Sequence, residues 1–184
     1  MIETHHTFKA DSKEQKNLDY ILYLPADHDG NKRTYPLVLF LHGAGERGND
    51  LELVKFHGIP KLINEGKAFP FITIAPQCPE KGYWDRPEYV SSLISLIKHA
   101  MVEYNVRSNQ VCGTGLSMGG LGTLAISIEE PELFASTPDN TISLNAETTI
   151  NLFEDLNYDL KAIRAGQKVK PIYLTKLPKD LKTL

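Results

Sequence analysis

A chain of 184 residues that is 41% hydrophobic and 23% charged, with 13 glycines and 11 prolines, has an ordinary globular composition, which excludes disorder, collagen and low complexity. Its net charge of -3 leaves no basic footprint for nucleic acid or an anionic membrane. Two cysteines, Cys78 and Cys112, are too few for a disulfide framework, and the length favours one domain with a substantial core.

In chain order, the N-terminal segment MIETHHTFKADSKEQKN reads as a polar arm, with His5 and His6 as surface residues. It has no apolar h-region, and no apolar run in the chain approaches the ~18 residues of a membrane span. A cytoplasmic location is the expectation for the chain as it stands, secreted or periplasmic if a leader has been removed. LDYILYL, Leu18 to Leu24, reads as a strand stopped by Pro25 and a turn-rich ADHDGNK. LVLFL, Leu37 to Leu41, is a continuous apolar run, as expected of a strand buried on both faces. Leu51 to Glu65 can hold one or two short helices, interrupted at Gly58 and Pro60. FITIA, Phe71 to Ala75, is a further buried strand between prolines. Glu88 to Tyr104 places Val90, Leu93, Ile94, Ile97, Ala100, Met101 and Tyr104 on one helical face. Val111 to Gly115 is a short strand, and Met118 to Glu130 runs as a helix until Pro131. Buried strands alternating with helices mean an α/β sheet, with LVLFL, FITIA and VCGTG as parallel neighbours.

Twelve of the 13 glycines, all six histidines and the only tryptophan precede Ser136. The composition then shifts, which places a domain boundary near residue 135: a core over 1–135 and a divergent tail over 136–184. Within the tail, Glu147 to Gly166 reads as an amphipathic helix carrying Ile150, Phe153, Leu156, Leu160 and Ile163.

The chemistry is concentrated at the turn GTGLSMGGLG. Gly115-Leu116-Ser117-Met118-Gly119 is G-x-S-x-G between a strand and an apolar helix start, the context that a nucleophile elbow requires. A serine on such a strained turn projects its hydroxyl above the sheet. Side chains two residues to either side would collide, so both flanks are glycine. The helix that follows aims its orphan amides at the reaction centre. The second piece is His42-Gly43-Ala44-Gly45-Glu46-Arg47-Gly48, directly after LVLFL. There a glycine-rich loop lets the amides of Ala44 and Met118 converge as an oxyanion hole. His42 is expected to brace this loop rather than act as a base. A nucleotide-loop reading of Gly113-x-Gly115-x-x-x-Gly119 fails on spacing and on the missing strand-end acid.

Taken in order, YPLVLFLHGAGERGND, FITIAPQCPEKGYW and GTGLSMGGLGTLAI…PELFA resemble the carboxylesterase branch of the α/β-hydrolases. The segment from Tyr20 to Ala135 is similar to bacterial phospholipase/carboxylesterase-like and feruloyl-esterase-like proteins, some labelled peptidases of the prolyl-oligopeptidase clan. The resemblance implies an α/β-hydrolase sheet flanked by helices and a serine hydrolase acting on a small-molecule carboxylic ester, with no metal or organic cofactor. It carries the nucleophile onto Ser117 and the oxyanion donors onto Ala44 and Met118, and it places Gln77 and Trp84 near the acyl or alcohol pocket.

The chain also departs from that pattern. In this fold the triad runs Ser, Asp or Glu, then His, yet no histidine follows Ser117. At ~30 residues per βα step, the 49 residues after 135 cannot supply the remaining third of the fold. A truncated, frame-shifted or fused reading frame is the expectation, and with it the alternative of a catalytically impaired remnant or binding module. Asp139, Asp155 and Asp159 satisfy the order for an acid but have no downstream imidazole to orient. His57 is the least implausible substitute base, and His99 reads as a surface residue off the apolar helix face. Glu46 and Arg47 are expected to pair within the loop, Cys112 to act as a small hydrophobe and Cys78 to be structural.

Overall fold

The computed structural model describes residues 1–134 apart from 29, 31 and 32. The tail expected over 136–184, its helix and the three aspartates named above lie outside the described residues.

Five strands form one sheet: β1 (Ile2–Phe8), β2 (Leu18–Leu24), β3 (Tyr35–Leu41), β4 (Ile72–Pro76) and β5 (Val106–Gly115), in the order β1-β2-β4-β3-β5. The three apolar runs expected to be neighbours are so. β3 pairs in parallel with β4 (Leu37 with Ile72, Leu39 with Ile74) and with β5 (Val38 with Cys112, Leu41 with Gly115). All five residues of β4 are buried, because helices or helical turns cover both faces of a parallel strand.

The sheet is mixed rather than purely parallel. β2 runs antiparallel to β4, and β1 antiparallel to β2 in an unbroken register from Ile2 with Leu24 to Phe8 with Leu18. The expected polar arm is therefore an edge strand. Six of its seven residues are exposed, so it lacks the one-sided burial that writes a period of two into a sequence. β5 is also longer than its apolar half. Opposite Tyr35 and Leu37 its partners jump from Val106 to Val111, an irregularity that absorbs the polar residues between them.

Alternation along the strands divides the core. Leu18, Leu37, Leu39, Leu41, Ile72 and Ile74 pack with helices α2 (Pro87–Glu103) and α3 (Met118–Glu129) on one face. Ile21, Tyr23, Phe40 and Ala75 pack with Val54 on the other. That second face is covered by a 3₁₀ segment, Leu51–Phe56, and by helix α1 (Gly58–Asn64), so the break falls at His57 rather than at Gly58. α2 opens with Pro87 at its first turn, where a missing N–H costs nothing. Its anticipated face is buried at Val90, Leu93, Ile94, Ile97 and Ala100, while His99 is exposed.

Candidate functional site

β3 and β5 end level with one another, since Leu41 pairs with Gly115. The chain segments leaving these strands are consequently packed backbone to backbone. Leu116 N–H donates to Leu41 O at 3.0 Å. A Cβ at Gly119 would lie 1.9 Å from Leu41 O, and one at Gly115 would lie 2.3 Å from the Gly119 carbonyl carbon. Both contacts are with main chain and cannot yield by a side-chain rotation, so glycine is demanded at both positions. A Cβ at Gly122 would meet Trp84 Cβ at 2.4 Å, which draws α3 equally close to the loop after β4.

Between these glycines Ser117 sits at φ 51°, ψ -114°, one of two described non-glycine residues with positive φ. An L-residue holds such a conformation only when its surroundings impose it. The Ser117 side chain is exposed and makes no capping hydrogen bond to α3. Gly119 N–H donates to Leu116 O at 2.8 Å and Gly120 N–H to Ser117 O at 2.9 Å, whereas Met118 N–H has no acceptor among the described residues. Ala44 opens the 3₁₀ turn Ala44–Glu46, is exposed, and likewise has an N–H that donates to no described group.

His42 is fully buried beneath that turn. Cys78 N–H donates to its Nε2 at 2.9 Å, which leaves Nδ1 to carry the proton and donate to Gly43 O at 2.6 Å. The imidazole is therefore a neutral strut between two loops. Burial lowers its pKa against the opposing pull of the Gly43 carbonyl and the Glu46 carboxylate. Trp84 is fully buried, with its ring edge-on to His42 at 5.3 Å and its Nε1 donating to His42 O at 3.2 Å. Gln77 is 3% exposed, and its Nε2 donates to Glu46 O at 2.9 Å and Asp50 O at 2.8 Å. Both frame the Gly43–Asp50 loop, Gln77 through Glu46 O and Asp50 O and Trp84 through His42 O.

Glu46 and Arg47 do not pair with each other. The Glu46 carboxylate turns inward, 3.4 Å from His57 Nε2 and 3.9 Å from His42 Nδ1. Arg47 turns outward and donates from Nε to Ala44 O at 2.9 Å and from Nη1 to Gly82 O at 3.3 Å. His57 is half exposed and stands at the N-cap position of α1 without a side-chain capping bond. Cys78 and Cys112 are free thiols, and burial pushes the Cys78 thiol up to about 12, so it is inert at neutral pH. Among the described residues one triad, Glu3, His5 and Glu52, has donor atoms close enough to share a metal ion. Lys55 Nζ already occupies its centre, 2.6 Å from Glu3 and 2.8 Å from Glu52.

The family model described as "Putative esterase" matches residues 13–138. The chain belongs to this esterase family. No curated protein matches it. Among solved structures, a thermostable esterase is 29% identical at a TM-score of 0.60, over 91% of this chain and 53% of that one. The feruloyl esterase module of Clostridium thermocellum, solved with sinapinate, is 14% identical at a TM-score of 0.55, over 91% of this chain and 62% of that one. A ferulic acid esterase is 19% identical at 0.54, over 98% and 74%. The fold of this esterase-family chain is thus that of the α/β-hydrolases, and the chain spans 53% of the length of the thermostable esterase. No described helix is long and apolar enough to cross a membrane.

Proposed function

We propose that the chain is a carboxylic-ester hydrolase with Ser117 as nucleophile and the Ala44 and Met118 amides as oxyanion donors. The observation that carries this reading is the strained, exposed Ser117 between glycines packed to main-chain contact; the Ala44 and Met118 amides, on the loops that leave β3 and β5, have no described acceptor. Family membership supports this reaction class. Ser117 Oγ adds to the acyl carbonyl and the carbonyl oxygen takes the negative charge, held by the two amides. Collapse releases the alcohol with the serine proton, and water then cleaves the acyl-serine by the same path. The rigid frame of His42, Gln77 and Trp84 fixes the oxyanion loop, so no reorganisation is needed as charge develops. The test is hydrolysis of 4-nitrophenyl butyrate by the full chain, which Ser117→Ala abolishes.

A second reading, an elbow that binds esters without turning them over, is favoured by one observation: among the described residues, no imidazole hydrogen-bonds to the Ser117 hydroxyl. A serine hydroxyl without a proton acceptor is a poor nucleophile; in subtilisin, loss of the histidine costs about 10⁶-fold in turnover. His57, held by Glu46, is the imidazole nearest in sequence to the oxyanion loop on its helical side, and His57→Ala decides whether it serves. Loss of burst and turnover in that variant assigns it the base role; unchanged rates remove it.

A further inference from the structure

Beside the Ala44 turn, on the same end of the sheet as Ser117, two cations lie against one aromatic ring. The Arg47 guanidinium carbon is 4.8 Å from the centroid of Tyr83, and that of Arg86 is 5.1 Å from it. Tyr83 is 42% exposed, Arg86 is exposed and Arg47 half-buried, so the cluster forms surface rather than core. Arg47 is fixed by its bonds to Ala44 O and Gly82 O, and Arg86 by one from Nη1 to Lys81 O at 3.2 Å.

Neither guanidinium is paired with an anion among the described residues. Among the described residues, no carboxylate lies within salt-bridge distance of either guanidinium, and Glu46, next to Arg47 in sequence, faces inward to His57. Nη2 of Arg47, and Nε and Nη2 of Arg86, donate to no described acceptor. Two like charges held against one ring repel each other, and a bound anion relieves that repulsion. Their field also reaches the loop interior: burial dominates the raised Cys78 thiol, Arg47 and Arg86 pull against it, and the Asp85 carboxylate adds to the rise without pairing with either guanidinium.

We propose that Arg47 and Arg86, braced on Tyr83, form an anion subsite at the same end of the sheet as the reacting serine, so that preferred substrates are esters carrying a carboxylate. The proposal deepens the esterase reading and rests on it for the word substrate. Arg47 bonds directly to the carbonyl of Ala44, which puts the subsite one residue from a proposed oxyanion donor. Guanidinium groups present paired N–H donors matched to a carboxylate, and stacking on an aromatic ring pre-orients them, so little side-chain entropy is lost on binding.

The experiment measures binding to the full chain carrying Ser117→Ala, which holds an ester without cleaving it. Monoethyl glutarate, an anionic ester, is compared by calorimetry with the neutral ethyl butyrate. The expected result is tighter binding of the anionic ester by about five- to tenfold, the size of a partly exposed charge-assisted contact. That preference shrinks in 1 M salt, disappears in Arg86→Gln and returns in part in Arg86→Lys. Arg86 bonds only to the carbonyl of Lys81, so its replacement spares the loop if Arg47→Gln fails to fold. Equal binding of the two esters, or a preference that survives Arg86→Gln, overturns the subsite. Hydrolysis of the neutral 4-nitrophenyl butyrate by the chain with Ser117 intact reports on the esterase reading separately, so either can fail alone.

Discussion

At the carboxyl ends of β3 and β5, two loops touch main chain to main chain, and a single methyl group has no room at Gly115 or Gly119. At the opposite flank, β1 follows β2 through seven pairs with only Phe8 buried. Both regions are held by regular backbone hydrogen bonds, yet one tolerates no change of shape and the other presents its side chains to water. The difference shows where the fold is most rigid, namely at the corner that holds Ser117 in its positive-φ turn. The flank serves to cover β2 and to end the sheet in polar side chains, which discourages pairing with another chain.

Substitutions sharpen this contrast, and the largest effect is expected at Gly119. Gly119→Ala puts a Cβ into the Leu41 carbonyl, and urea denaturation should register a loss of at least about 3 kcal/mol or failure to fold. A loss below about 1 kcal/mol would show that the corner can relax.

His42→Ala comes next. It removes the strut, leaves the Cys78 N–H and Gly43 carbonyl without partners and opens a cavity, which should cost about 2–4 kcal/mol. The same ring gives a pH signature. Its folded pKa lies below its ordinary value, so its contribution is complete above about 6.5 and is lost as pH falls from there toward the folded value. Wild-type stability should therefore decline between neutral pH and pH 5, with a shallower slope in His42→Gln.

Ser117→Gly should act in the opposite sense, stabilising by about 1 kcal/mol as the positive-φ strain is released, while ester hydrolysis is lost. No gain in stability would mean that the turn is not strained. The smallest effect belongs to the flank: Thr7→Ala deletes an exposed 2.6 Å hydrogen bond to Asp19 and should stay within about 0.5 kcal/mol.

The same contrast explains what the sequence disclosed. LVLFL, FITIA and VCGTG were legible as parallel neighbours because burial on both faces forces continuous apolar runs. Gly115 and Gly119 were legible because the close approach of main chain leaves no room for a Cβ, and they mark the turn that holds Ser117. β1 was illegible because a strand exposed on both faces needs no periodicity, and THHT reads the same in an arm as in an edge strand. The hydrogen bonds of Trp84 and Gln77 to loop carbonyls were not legible, since linear order does not say which way a side chain turns. The Arg47–Tyr83–Arg86 cluster left no signal because its members lie 36 and 3 residues apart in no motif and meet only after β4 returns beside β3.

The central claim is that the fold presents Ser117 as a reactive nucleophile, and covalent labelling tests it most directly. The full chain is treated with an alkyl fluorophosphonate and examined by intact mass and peptide mapping. The account predicts one adduct, located on Ser117 and absent from Ser117→Ala. A folded chain whose Ser117 stays unmodified at saturating reagent would contradict it.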